Sequence, residues 1–261
     1  MSRARAVLAG AAVAALMAAG CGADAEPEAG PAARTATSTA AAPRPAPTVD
    51  EQPAAKGEAT RAARLVPPLA FHVRRRAQLR SAPGGRVVAT IKTKTEFKSP
   101  TILAVAARKP GWVMVRTSAR KHHVGWLPST SGVLFSQPRT LVIDLSRRML
   151  SVFHRGERTD TYKVAIGTAA TPTPRGKFAV TDRLTTGDAN GDYGCCILAL
   201  TGHQPKIAQG WGGGDRVAIH ATPHTWTLGK QISHGCVRAT NKALRQLMAR
   251  VRLGTPVTIH S

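Results

Sequence analysis

The chain has 261 residues, enough for one or two domains, and carries 37 Lys and Arg against 14 acids for a formal net charge of +23. Such a surplus suits a polyanion, whether nucleic acid, anionic lipid or a cell-wall polymer, and argues against an acidic surface partnering bases. The apolar run near the start, Val7–Ala19, is too short to favour a membrane-spanning helix.

Residues 1–21 read as an export signal, with Arg3 and Arg5 ahead of the apolar run and Gly20-Cys21 after it. Ala18-Ala19-Gly20-Cys21 resembles a bacterial lipobox, whose cysteine is acylated and becomes the first residue of the mature protein; Ala18 stands where such motifs usually carry Leu. Cleavage after Ala23-Asp24-Ala25 is the alternative and would discard Cys21. Either route takes the protein out of the cytosol, so nucleic acid is not an expected partner. Lipidated Cys21 would hold it at the outer face of the cytoplasmic membrane. Residues 22–64 are rich in Ala, Pro and Thr, with almost no large apolar side chain, and read as a disordered tether. A flexible chain of that length spans about 35–40 Å root-mean-square. Six acids lie before residue 65, which leaves 30 basic and 8 acidic residues in 65–261.

Over 65–135 short apolar runs recur at Arg86–Ile91, Thr101–Val105, Trp112–Val115 and Val124–Leu127. Turn signals at Pro83-Gly84-Gly85 and Lys109-Pro110-Gly111 separate them, which predicts a small β unit. Gly111-Trp112 followed by Gly125-Trp126-Leu127 resembles bacterial SH3-like domains, which often accompany cell-wall enzymes. Both tryptophans can instead be core aromatics of a small barrel, and for Trp112 that reading is preferred over wall binding.

From residue 139 onward the pattern predicts a β-hairpin (Thr140–Leu145 and Met149–Phe153 about Ser146-Arg147-Arg148). Further strands are expected at Tyr162–Gly167, Lys177–Thr181, Cys196–Leu200, Val217–Ile219 and Val257–Ile259. One helix is expected, with Asn241 as its cap and Gly254 as its stop. Its Leu244, Leu247, Met248 and Val251 lie at i, i+3, i+4 and i+7. The fold class is therefore mostly β with one substantial helix, in two parts, 65–135 and 139–261.

Four cysteines occur: Cys21, the adjacent pair Cys195 and Cys196, and Cys236. The pair is expected to be two small side chains on opposite faces of a strand, because a disulfide between neighbours needs an unusual ring geometry. Cys236 stands in Ser233-His234-Gly235-Cys236-Val237-Arg238, with His220 upstream. An imidazole near a thiol permits acyl transfer: it can take the sulfur's proton or hold it as thiolate, and the sulfur attacks an acyl carbon to give a thioester. Gly235, just before the sulfur, lets a carbonyl approach the backbone. A zinc site drawing on His203, His220, His224, His234 and Cys236 is a second reading, weakened by Pro223, which opposes a regular helix between His220 and His224. Packed, merely structural histidines are a third.

Ile219-His220, the Ser233–Arg238 motif and Asn241, together with Thr171–Phe178 and Tyr193-Gly194, resemble the L,D-transpeptidases with a YkuD-type catalytic domain, over about 139–261. Ala221 stands where many members carry Gly or Ser, and Cys195-Cys196 where a Pro and a bulky residue are common. The resemblance implies a YkuD-type β-sandwich following the SH3-like barrel. It implies Cys236 as nucleophile, His220 as base and the Ala221 carbonyl orienting the imidazole. His234, Gly235 and Cys236 would supply main-chain N–H groups to an oxyanion hole, and Ser233 would hydrogen-bond the loop. Arg238 is expected either to grip a substrate carboxylate or to fix the loop by an ion pair, and Tyr193 either to line the groove or to pack within a strand. No metal or other cofactor is implied. The implied reaction is acyl transfer from a peptidoglycan tetrapeptide stem, with release of the terminal D-Ala and cross-linking to a second stem. Carbapenems would acylate the same cysteine. An L,D-carboxypeptidase of the same fold and a noncatalytic wall-binding protein are the alternatives. The expected setting is the cell envelope, the partners are stem peptides and a membrane reached through the lipid anchor, and the protein is expected to be monomeric.

Overall fold

Short β-branched runs separated by turn residues pair into two main sheets, and only one stretch of the described chain has the periodicity of an α-helix. The computed structural model describes residues 68–119, 123–206 and 215–261. The export signal, Cys21, the whole of the tether and its flank up to residue 67 lie outside the described residues.

The first sheet contains β1 (Leu69–Val73), β2 (Ala77–Arg80), β3 (Val87–Ile91), β4 (Ile102–Lys109), β5 (Trp112–Arg116), β6 (Val124–Pro128) and β7 (Gly132–Ser136). All of its pairings are antiparallel, in the order β3-β2-β6-β5-β4-β1-β7. Alternate residues point inward, so Phe71, Val73, Leu79, Leu103, Val113, Val115 and Leu127 close over one another as its core. Trp126 is buried, as a core aromatic should be, whereas Trp112 is half-buried. The periodicity at 86–127 located four of these strands; β1, β2 and β7 are additional.

The second sheet draws on β8 (Arg139–Asp144), β9 (Met149–His154) and β10 (Glu157–Lys163), with β12 (Gly176–Thr185), β13 (Cys196–His203), β14 (Arg216–Thr222), β16 (Val237–Thr240) and β17 (Pro256–His260). Its order is β10-β9-β8-β17-β12-β13-β14-β16. The expected strand at Tyr162–Gly167 splits: β10 ends at Lys163, and β11 (Ile166–Gly167) leaves to pair in parallel with β15 (Gln231–Ser233). Strand β12 serves two partners. Gly176–Ala179 pairs with β17, and Val180–Thr185 pairs with β13, with a register shift between Val180 and Asp182 inside that second ladder.

Helix α1 (Asn241–Arg250) lies against this sheet, with Leu244, Leu247 and Val251 buried and Met248 partly buried. The expected cap is corrected. Thr240 is the N-cap, its hydroxyl accepting from the Ala243 amide at 3.0 Å. Asn241 is instead free to tie down the loop ahead of β13: its Oδ1 accepts from Cys195 N at 2.7 Å and its Nδ2 donates to Ala189 O at 2.9 Å. The helix gives way to extended backbone at Val251, ahead of Gly254. Gly254 has φ +78°, and a Cβ there would come within 2.9 Å of Ala70 and Ile102, so it is required where the two sheets approach. The cysteine pair is also corrected: Cys195 and Cys196 are joined by a disulfide at the start of β13.

The described residues all belong to one compact unit, and polar contacts stitch its two sheets together. Arg116 Nη1 donates to Lys177 O at 3.1 Å, and Gln137 Nε2 to Leu253 O at 3.1 Å. Thr95 Oγ1 donates to Asp182 Oδ1, and Glu96 pairs with Arg216.

Candidate active site

Strands β14 and β16 run in parallel with His220 beside Arg238 and Ile219 beside Val237. Cys236 immediately precedes β16, two residues before Arg238, so along extended backbone its side chain leaves on the face that carries His220. Cys236 and His220 line one cavity of about 350 Å³, shared with Tyr193, Gln204, Arg216 and Arg238. Asp192, Asp215, Val217 and His234 complete the lining.

The turn Ser233-His234-Gly235-Cys236 is fixed from several sides. Ser233 is fully buried; its Oγ donates to Cys236 O at 2.5 Å and accepts from Gly235 N at 3.1 Å. The Ser233 carbonyl accepts from Thr168 N at 3.0 Å and from Thr171 Oγ1 at 3.3 Å. Arg238 exchanges both backbone hydrogen bonds with Ala165, at 2.8 and 2.9 Å, which anchors the far end of the motif. Gly235 has φ +115°, a conformation open to glycine and strained for other residues. Its N–H serves the turn itself, whereas His234 is exposed at the cavity.

His220 is 2% exposed, and its Nδ1 lies 2.7 Å from the Ala221 carbonyl oxygen. A carbonyl only accepts, so Nδ1 carries the proton and Nε2 keeps its lone pair. Burial, reinforced by the Arg238 cation, drives the His220 pKa down to about 4 against the opposing pull of the Ala221 hydrogen bond. Burial likewise pushes the Cys236 thiol up, offset in part by the Ala218 amide and Arg238. Both shifts favour the uncharged forms, imidazole and thiol, over a preformed ion pair.

Tyr193 sits 4.8 Å from the His220 ring, centroid to centroid, at an interplanar angle of 54°. It is 42% exposed, at the mouth of the site and not within a strand. Arg238 makes no ion pair among the described residues, and its buried Nε has no hydrogen-bond partner among them. Arg238 also lines the cavity.

His203 and His224 do not join His220, His234 and Cys236 in lining this cavity. His224 is exposed beside a 3-10 turn at Thr225–Thr227, and the 220–224 spacing spans a strand end and not a helix. His203 places Nδ1 2.7 Å from Asp215 Oδ1 and Nε2 3.0 Å from Ser118 O. No group of three or more metal-ligating side chains occurs among the described residues. Sequence reasoning missed Gln204 and Arg216, which lie outside any motif and reach the cavity only through strand pairing. Arg216 donates from Nε to Leu200 O at 2.8 Å and from Nη2 to Thr181 Oγ1 at 2.7 Å.

Residues 138–259 match the family model YkuD, the L,D-transpeptidase catalytic domain. This segment is a YkuD-type L,D-transpeptidase catalytic domain. The YkuD protein of Bacillus licheniformis is 31% identical over 122 residues, covering 47% of this chain and 66% of the relative. That of Bacillus subtilis is 29% identical over 126 residues, covering 48% and 68%. The chain thus spans about two thirds of the length of these relatives. The crystal structure of L,D-transpeptidase 3 from Mycobacterium tuberculosis, in complex with a faropenem-derived adduct, shares 16% identity over 53% of this chain and 73% of its own, with a TM-score of 0.39. A likeness that low does not bear on this chain's chemistry.

Proposed function

We propose that the protein is a peptidoglycan L,D-transpeptidase that forms cross-links through a thioester on Cys236. The observation that supports this is that His220 and Cys236 line one cavity and that His220 Nδ1 is engaged by the Ala221 carbonyl; Nε2 would then be the base.

In the first half-reaction the sulfur attacks the carbonyl between the third residue of a tetrapeptide stem, a diamino acid, and its terminal D-Ala. The thiol proton passes to His220 Nε2, and the carbonyl electron pair moves onto oxygen. Main-chain N–H groups of the turn stabilise that oxyanion, His234 and Cys236 being the candidates because the Gly235 N–H is engaged by Ser233. A donor of this kind contributes about 3–4 kcal/mol to barrier lowering. Collapse expels D-Ala, whose nitrogen takes the proton from the imidazolium, and leaves the thioester. In the second half the amine of another stem attacks, its proton returns through His220, and the thiol is restored. Arg238 supplies a planar fork for a stem carboxylate. Water in place of the amine would give carboxypeptidase activity instead.

The substrate places the protein in the cell envelope, where the positive charge of 65–261 faces polyanionic wall and membrane. Acylated Cys21 would be the membrane attachment, and the first sheet a wall-binding element. The deciding experiment incubates the protein with a defined disaccharide-tetrapeptide beside Cys236→Ala. Dimer plus free D-Ala from wild type alone supports the reading. D-Ala without dimer assigns the carboxypeptidase activity, and no turnover removes both.

A further inference from the structure

Gln204 lies one residue beyond β13, outside every motif in the sequence, yet its side chain is packed against the catalytic turn. It is 3% exposed. A Cβ built on Gly235 would sit 2.6 Å from Gln204 Nε2, so the amide group bears directly on the Gly235 backbone. Each end of that amide is held. Nε2 donates to the Pro172 carbonyl at 2.6 Å, and Oε1 accepts from Lys206 N at 3.1 Å, while the Gln204 main-chain N–H donates to Asp215 O at 2.7 Å.

Pro172 belongs to the same loop as Thr168 and Thr171, which hold the Ser233 carbonyl from the other side of the turn. The result is a closed brace: Ser233 to Thr171, along the chain to Pro172, across to Gln204, and back against Gly235. A buried amide with both ends satisfied has little freedom to shift, and an apolar replacement would leave the Pro172 carbonyl without this donor. The brace thereby sets the height of the 234–236 backbone, and with it the direction of the N–H groups that face an oxyanion.

We infer that Gln204 is a positioning residue for acyl transfer, holding the Gly235 backbone so that the neighbouring amides are aligned with the developing oxyanion. This rests on Cys236 being the nucleophile. It reaches the reaction through the turn and exchanges no proton with the substrate.

Two reagents separate alignment of the turn from mere integrity of the site. Acylation by imipenem develops an oxyanion at the attacked carbonyl, whereas alkylation by iodoacetamide needs the same sulfur but no oxyanion. Rates of both at Cys236 are measured by mass spectrometry with peptide mapping, on wild type, Gln204→Met and Gln204→Glu. Displacing reacting groups by about an ångström can cost up to about a hundredfold. Gln204→Met, close in shape but without donors, is expected to acylate at least about tenfold more slowly while alkylation stays within about twofold. Gln204→Glu is expected to show the same split, with its deficit narrowing as acid restores an O–H donor toward Pro172. It carries the test if the methionine variant does not fold. Acylation within about twofold of wild type in a folded variant, or a parallel loss of acylation and alkylation, would overturn the assignment. Failure of wild type itself to acylate at Cys236 would instead overturn the nucleophile on which it rests.

Discussion

Acidification should remove a defined share of stability through His220. The folded protein holds this imidazole neutral down to about 4, whereas the unfolded chain protonates it near 6.5. Unfolding between these values takes up a proton. The stabilisation is therefore complete above pH 6.5 and is lost as pH falls toward 4. Integrating the linkage relation gives about 2 kcal/mol lost by pH 5 and about 3 kcal/mol by pH 4. With a urea dependence of about 2 kcal/mol/M, the full loss moves the midpoint by about 1.5 M. Other carboxylates such as Asp144, held low by the Ser146 hydroxyl and the Arg147 amide, lower stability over acid ranges as well. The measurement is therefore a difference: urea unfolding of wild type and His220→Asn at pH 7, 6, 5 and 4. Wild type should lose about 3 kcal/mol more than the variant across that range. Parallel losses in the two proteins would show that His220 does not reside in a water-excluded site, and the neutral-base argument would fail with it. Acylation should echo the same titration, level above about pH 5 and falling through about 4 as the base is protonated.

Imipenem should add the mass of one drug molecule at Cys236 in wild type and none in Cys236→Ala. His220→Ala should slow that adduct by about 10²–10⁴-fold, while exposed His224→Ala leaves it within about twofold, by stopped-flow absorbance. Arg238→Ala should raise KM for a tetrapeptide by about tenfold or more with a smaller change in kcat, and Arg238→Lys should not restore it, because an ammonium cannot present the planar fork. Thr240→Ala should cost about 1 kcal/mol in urea unfolding through loss of the helix cap.

Much of this was legible in the sequence because it depends on local pattern. Alternation at Thr140–Leu145 and Met149–Phe153 located β8 and β9, and the i, i+3, i+4, i+7 spacing from Leu244 located α1. Thr240 and Asn241 are both good caps, so composition could not tell which one bends back onto the helix. The choice is made by Cys195 N–H, forty-six residues away in sequence, which claims the asparagine. The vicinal disulfide was hidden because strand alternation places neighbouring side chains apart, and that rule breaks where β13 is only beginning. Gln204 and Arg216 were invisible for another reason: their neighbours are set by β13 and β14 pairing, with no short spacing to betray it.

The clasp at Thr95 and Glu96 determines where this protein can be cut. Asp182 is fully buried, with Thr95 on one carboxylate oxygen and no hydrogen-bond partner for the other among the described residues. Arg216, at the wall of the cavity, leans on Glu96. Excising the first sheet to isolate the enzymatic half would uncork that acid, unseat the arginine and deform the very pocket under study. A defect seen after such a truncation would then report damage spread inward, and point changes on the outer face of β3 or β7 are the cleaner instrument.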